Sequence, residues 1–395
     1  MKKIIYLFIL LLPNIAFALA APNLNSSKAI LYDLTDQKIL YQLNATEKSD
    51  IASLTKIMTT ITAIENIDNL DEKIKITNEM LNFVRWDASV AGLKVGDIVS
   101  YRDLLYASML PSGADATISI AISTSNDIAS YVAKMNELAK KIGLLNTHFT
   151  NVTGLDEENH YSTVNDILTL LKYALNNPIF KEIYTTKEYT LSNGLKVKST
   201  INNYNKYLNL DTSRILGSKT GFTLQAGLCF SAIFTSNNHE FITITLGAKR
   251  INGKPYNIID TLELINYVDK NYQNQVLLTK DTLIKSMKVE NSKISSYNIK
   301  AANDITLFLP NDYDQTKFTI EYQGLEKLSY KNKIGEEIGT VTYIFNNQEI
   351  YTEKIFLKQN IEKNIIKIIN NNHLYLLLFI HLLITIPIII RKVKS

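Results

Sequence analysis

Cysteine is almost missing from this 395-residue chain, since Cys229 is the only one. An intramolecular disulfide is therefore excluded, and the fold has to stand on its core. Cys229 lies in Gly227-Leu228-Cys229-Phe230, which reads as a buried strand, so a core thiol is expected rather than a reactive one. An excess of charge in the body is also lacking. The formal net charge of +4 comes from the two ends, from Lys2 and Lys3 and from Arg391, Lys392 and Lys394. Without these five, 37 basic residues face 38 acidic ones, so no basic face for nucleic acid is expected. His148 has no second His or acid near it at ligand spacing, so neither a metal nor a cofactor is expected. What is present is the composition of a globular protein, 46% hydrophobic and 20% charged, with length enough for two domains.

The ends carry export and membrane signals. A charged start, an apolar stretch over 4–12 and Ala18-Leu19-Ala20 make residues 1–20 a secretory signal peptide, with the mature chain beginning near Ala21. At the other end, residues 374–390 are almost wholly apolar and a basic tail follows, which suggests a membrane anchor with a cytoplasmic tail. Before it, Ile361, Ile365, Ile368 and Ile369 alternate with Lys363 and Lys367, so 359–373 is expected as an amphipathic linker on a membrane surface.

Between the ends, strand patterns at 28–33 and 38–43 flank a turn, and a helix is expected from Ser53 to about Ile64. Ser100, with Asp103 three residues on, is an N-cap signature for a second helix. One long apolar helix is expected over 116–139, and another after Ser162 or Thr163. Two apolar strands follow at 227–235 and 241–246, then a closing helix at 262–268 capped by Asp260 or Thr261. This order predicts an α+β body over 21–270, an antiparallel sheet covered by helices with a helical cluster. Residues 275–358 alternate at short period between turn signals and predict a small all-β domain.

The chemistry is concentrated in three stretches. Ser53-Leu54-Thr55-Lys56 puts a hydroxyl beside an amine at helical spacing, and a partly desolvated Lys can take the proton that keeps a Ser hydroxyl a weak nucleophile. Pro111-Ser112-Gly113 is a loop between helical segments that exposes a second hydroxyl. Lys219-Thr220-Gly221-Phe222 precedes a strand, and its glycine permits close approach of a ligand. Ser-x-x-Lys alone is a common pattern, and its weight comes from the two later stretches in this order.

In that order the three resemble the motif set of penicillin-recognising serine enzymes. Ala52 to Thr59, Leu145-Asn146-Thr147-His148-Phe149, Gly154-Leu155-Asp156 and Tyr161-Ser162 resemble the D-alanyl-D-alanine carboxypeptidases, the low-molecular-mass penicillin-binding proteins. The resemblance covers nearly the whole chain. It implies a substrate, the D-Ala-D-Ala end of a peptidoglycan stem peptide, and acylation by β-lactam antibiotics. It also implies roles: Ser53 the nucleophile, Lys56 its base, Ser112 a proton relay, Lys219 and Thr220 substrate-binding groups, and the N–H groups of Ser53 and Phe222 an oxyanion hole. Lys249 or Arg250 would bind the terminal carboxylate, with Arg the better fork.

One departure stands out. The second motif of that family ends in Asn, and here the position is Ala114. Ser236-Asn237-Asn238 matches the motif but lies after Lys219, and Asn126 is a candidate substitute. Ala114 supports a rival expectation, a weakly catalytic wall-binding or penicillin-sensing protein. Glu157 and Glu158, expected as solvated loop charges, support another, a serine β-lactamase that uses a loop Glu to activate water.

Overall fold

The computed structural model describes residues 20–203, 210–371 and 373–393. The expected signal peptide lies almost entirely outside the described residues. The chain divides at Tyr272 into two compact units, one ending there and one from Gln273 onward.

The first unit is built on a five-stranded antiparallel sheet. Its order is Lys38–Leu43, Lys28–Asp33, His239–Ala248, Gly227–Ser236, Ile215–Thr223. The amino-terminal hairpin thus joins strands from some two hundred residues later. Side chains alternate across a strand. Ile242, Ile244 and Leu246 accordingly face the main core with Ile57 and Ile61. From the opposite face, Thr245 Oγ1 donates to the carbonyl of Asn257 (3.2 Å) in the helix Tyr256–Asn271. Both faces are covered, which is why Gly227–Ser236 is buried along most of its length and reads as a continuous apolar run.

The helix Thr55–Asn66 is buried on all sides from Thr55 to Ala63. It packs among Tyr101–Met109, Ala114–Ser125, Ile128–Lys141, Val164–Leu175 and Pro178–Thr185. The expected Ser100/Asp103 capping box is present, and of Ser162 and Thr163 it is Thr163 that caps, accepting from Asp166 N (3.1 Å). Two expectations are corrected. The stretch 116–139 is two helices, because Asn126 turns left-handed (φ 67°) and Asp127 caps a new helix at Ser130 N. The closing helix begins at Tyr256, so Asp260 is not its cap. Instead, the Asp260 carboxylate accepts from the N–H groups of Asn25 and Ser26 and from Ser26 Oγ.

The second unit is all-β up to Phe356. It has one three-stranded sheet ordered Ser296–Lys300, Leu283–Glu290, Lys327–Ser329 and another ordered Phe318–Gly324, Glu337–Phe345, Gln348–Phe356. Met287, Val289, Leu328, Val341 and Tyr343 form its core. Ile361 is buried in that core, so it is not free to lie on a membrane, whereas Ile365 and Ile369 on the helix Ile365–Asn371 are exposed. A helix follows over His373–Val393. Among the described residues no helix is long and apolar enough to cross a membrane, so the expected span over 374–390 is not supported.

Candidate active site

Ser53 sits in a single tight turn, Ala52–Leu54, that runs directly into the buried helix. The helix carries Lys56 inward, and its Nζ lies 3.0 Å from Ser53 Oγ and donates to the carbonyl of Thr153 (2.6 Å). Burial pushes the Lys56 amine down to about 7, opposed by the carboxylate of Asp115. Burial thus favours the neutral amine, the form a proton acceptor requires.

Ser112 is brought in from the loop between Tyr101–Met109 and Ala114–Ser125. It is buried and held at φ 66°, a left-handed conformation that is costly for a residue with a side chain and that clusters at functional sites. Lys219 Nζ donates to Ser112 Oγ (2.9 Å) and to the carbonyl of Thr220 (2.8 Å). Burial, and then the neighbouring Lys56, hold the Lys219 amine well below the usual range. Thr220 Oγ1 is 2.7 Å from Thr200 Oγ1.

Lys219, Thr220, Gly221 and Phe222 lie on Ile215–Thr223, the end strand of the sheet, paired among the described residues only with Gly227–Ser236. An end strand has backbone donors and acceptors to offer an extended peptide. Gly221 runs against the nucleophile's own backbone, and a Cβ there would fall 2.9 Å from Ser53 N. Ser53, Ser112, Thr220, Gly221 and Phe222 line one cavity of about 490 Å³. Arg250 lies over the Phe222 ring at 5.0 Å, and both it and its neighbour Lys249 are exposed.

Ala114 is buried beside a second cavity of about 300 Å³, lined also by Ile118, Val152 and Thr153. The expected substitute does not reach it. Asn126 caps the far end of the same helix, which at 1.5 Å per residue is roughly 18 Å away. Glu157 is exposed, and its Oε2 accepts from Asn151 Nδ2 (2.9 Å). His148 is exposed, with Nδ1 2.8 Å from the Asn159 carbonyl oxygen. Cys229 is buried, and burial pushes its thiol up to about 12.

Sequence reasoning missed several groups. Thr153 serves Lys56 through a backbone carbonyl, which any residue type supplies, so no residue pattern could mark it. Asp115 accepts from the N–H groups of Ala91, Gly92, Leu93 and Ala116 and so ties down the 87–93 segment, from which Asp87 and Ser89 reach the cavity. The one group of potential metal ligands among the described residues is elsewhere, at Asp33, Asp36 and His239. Those atoms are engaged with one another and with the Thr35 and Asp36 N–H groups.

The family described as D-alanyl-D-alanine carboxypeptidase matches residues 15–250. The chain belongs to that family. A second match, to the C-terminal domain of penicillin-binding protein 5, takes residues 272–363. This carboxypeptidase is 30% identical over 376 residues to the D-alanyl-D-alanine carboxypeptidase DacC of Escherichia coli (strain K12), with 90% of each chain covered. It is 25% identical over 342 residues to DacF of Bacillus subtilis (strain 168), with 86% of each covered. Among solved structures, penicillin-binding protein 5 from Haemophilus influenzae superposes with a TM-score of 0.61 at 25% identity, over 88% of this chain and 100% of that one. A mutant of the Streptomyces K15 DD-transpeptidase matches 62% of this chain and 98% of its own, at 30% identity and a TM-score of 0.57.

Proposed function

We propose that this carboxypeptidase removes the terminal D-Ala of peptidoglycan stem peptides through an acyl-enzyme on Ser53, and that β-lactams acylate the same residue. The observation that carries this is the approach of a buried, depressed Lys56 amine to Ser53 Oγ at 3.0 Å. Neutral Lys56 takes the hydroxyl proton as Ser53 Oγ bonds to the peptide carbonyl carbon. The oxyanion rests on the N–H groups of Ser53 and Phe222, each such donor contributing about 3 kcal/mol to the transition state. As the C–N bond breaks, the proton that Lys56 took passes to the leaving D-Ala amine by way of the Ser112 hydroxyl, which gives one proton and receives one. Lys219, through its bond to Ser112, assists that transfer. Thr220 and Arg250 bind the terminal carboxylate, and water then releases the acyl group.

Incubating the full-length protein with a diacetylated tripeptide ending in D-Ala-D-Ala, and separately with labelled penicillin, tests this. Release of D-Ala and a long-lived adduct that Ser53→Ala abolishes are expected. Rapid penicillin turnover would make it a β-lactamase, and an adduct without D-Ala release a penicillin sensor. An adduct surviving Ser53→Ala would sink the assignment of the nucleophile.

We also propose that the catalytic unit acts outside the cytoplasm and is held at a membrane by the carboxyl-terminal helix. Leu377 to Ile384 present exposed apolar side chains, His381 apart, and Arg391, Lys392 and Lys394 follow. Recovery of the intact protein in the soluble fraction after lysis without detergent would rule this out.

A further inference from the structure

The residue before the nucleophile is strained. Ala52 has φ 46°, a left-handed region that an L-residue with a Cβ rarely adopts. A buried hydrogen-bonded chain ends on its carbonyl. Ala52 O accepts from the Thr55 backbone N–H, which any residue keeps, and also from Thr55 Oγ1 at 2.9 Å; His160 Nε2 lies 2.8 Å from Thr55 Oγ1. The direction of the chain follows from its far end. Thr150 N–H donates to His160 Nδ1 at 3.1 Å, so Nδ1 holds the lone pair and Nε2 the proton. The order is therefore His160 Nε2–H to Thr55 Oγ1–H to Ala52 C=O, with Thr150 Oγ1 also 3.3 Å from His160 Nδ1.

The surroundings leave this chain little freedom. Thr55 and His160 are buried, and the imidazole stands edge-on to Phe149 at 5.8 Å. Gly154 (φ 83°) passes so close that a Cβ there would fall 1.9 Å from Ala52 O and 2.8 Å from Thr55 Oγ1. Around the ring, Glu157 and Asp156 favour its protonation while His148 and Lys56 oppose it, and burial outweighs them all, taking it down to about 4. At neutral pH it is uncharged, in one tautomer.

In a trans peptide the C=O and the N–H lie in one plane and point in opposite directions. Anchoring the Ala52 carbonyl therefore aims the Ser53 N–H the other way. We propose that His160 is a positioning residue, acting through Thr55 to hold the Ala52–Ser53 peptide so that the Ser53 N–H is set for the oxyanion. This rests on Ser53 being the nucleophile and its N–H an oxyanion donor.

The test uses the full-length protein, labelled penicillin and the acylation rate constant per reactive site, counted from the adduct at saturation. Counting sites removes misfolded material from the comparison. Thr55→Val is expected to lower that constant by about tenfold or more, below the 10²–10³ for a donor removed outright. Thr55→Ser, which keeps the hydroxyl, should restore most of it. His160→Gln should fall between wild type and Thr55→Val. The double variant should be no slower than Thr55→Val alone, because His160 acts only through Thr55. The acid limb of the acylation profile near pH 7 should stay in place in every variant, since the chain does not touch the Lys56 amine. A Thr55→Val constant within about twofold of wild type, or losses that add in the double variant, would overturn the proposal. In the first case an adduct absent from Ser53→Ala leaves the nucleophile standing and sinks only the positioning role; an adduct present there sinks both.

Discussion

In the proposed mechanism, Lys56 is the residue whose state sets the rate. Its folded value of about 7 lies below the ordinary 10.5 of a lysine because the amine is buried, and proton acceptance needs the neutral form. Acylation by penicillin should therefore rise with pH through an apparent value near 7 and level off above it. A profile flat between pH 5 and 9 would contradict Lys56 as the base. Lys56→Arg, which cannot give up its proton, should lower acylation by about 10²–10⁴. Ala114 is the second residue of interest. It borders the cavity of about 300 Å³ and lies two positions from Ser112, so an Asn side chain has room there. Ala114→Asn should raise D-Ala release, by about tenfold for one hydrogen bond to a charged or transition-state group. Unchanged or lower release would count against that reading. The residues carrying both arguments were legible in the sequence, because Ser-x-x-Lys, Pro-Ser-Gly and Lys-Thr-Gly are made of side chains. Thr153 was not, because it acts through its carbonyl, and His160 was not, because Thr55 and Thr150 meet it only in the fold.

At the scale of elements, the site depends on how segments are tied together. The Asp115 carboxylate holds the 87–93 segment with bonds to three of its N–H groups, and a fourth comes from its own helix. Asp115→Asn turns one oxygen into a donor facing donors, and should destabilise the catalytic unit by about 3 kcal/mol. That corresponds to a fall in its thermal midpoint of about 6–12 °C, measurable by calorimetry. It also removes a carboxylate that raises Lys56, so the acid limb of the acylation profile should move to lower pH. A limb that stays put, or moves up, would show that Asp115 does not act on Lys56. Element types were mostly legible from apolar period and capping residues, as at Ser100 and Asp103. Boundaries failed where one local preference overrode the pattern. At Asn126 a left-handed residue broke an apolar stretch that reads as one helix, and Asp260, a plausible cap, was drawn to the N–H groups of Asn25 and Ser26.

For the whole molecule, two units with separate cores predict two thermal transitions rather than one. A covalent penicillin adduct should shift only the transition of the unit that holds Ser53, because ligation stabilises only the body it touches. A single transition that moves as a whole on acylation would contradict independent units.

By itself, the sequence determined the chemistry on offer: a hydroxyl and an amine at helical spacing, a second hydroxyl loop, a Lys-Thr-Gly strand, and an all-β region without such groups. Those are properties of residue type and local period, and both are written in the chain. Only the tertiary structure decided which groups meet. It brought Lys219 to Ser112 across 107 residues and His160 to Thr55 across 105, and it sank Lys56 deep enough to lower its amine. Desolvation and backbone direction are set by everything packed around a group, so neither can be read from its neighbours in sequence.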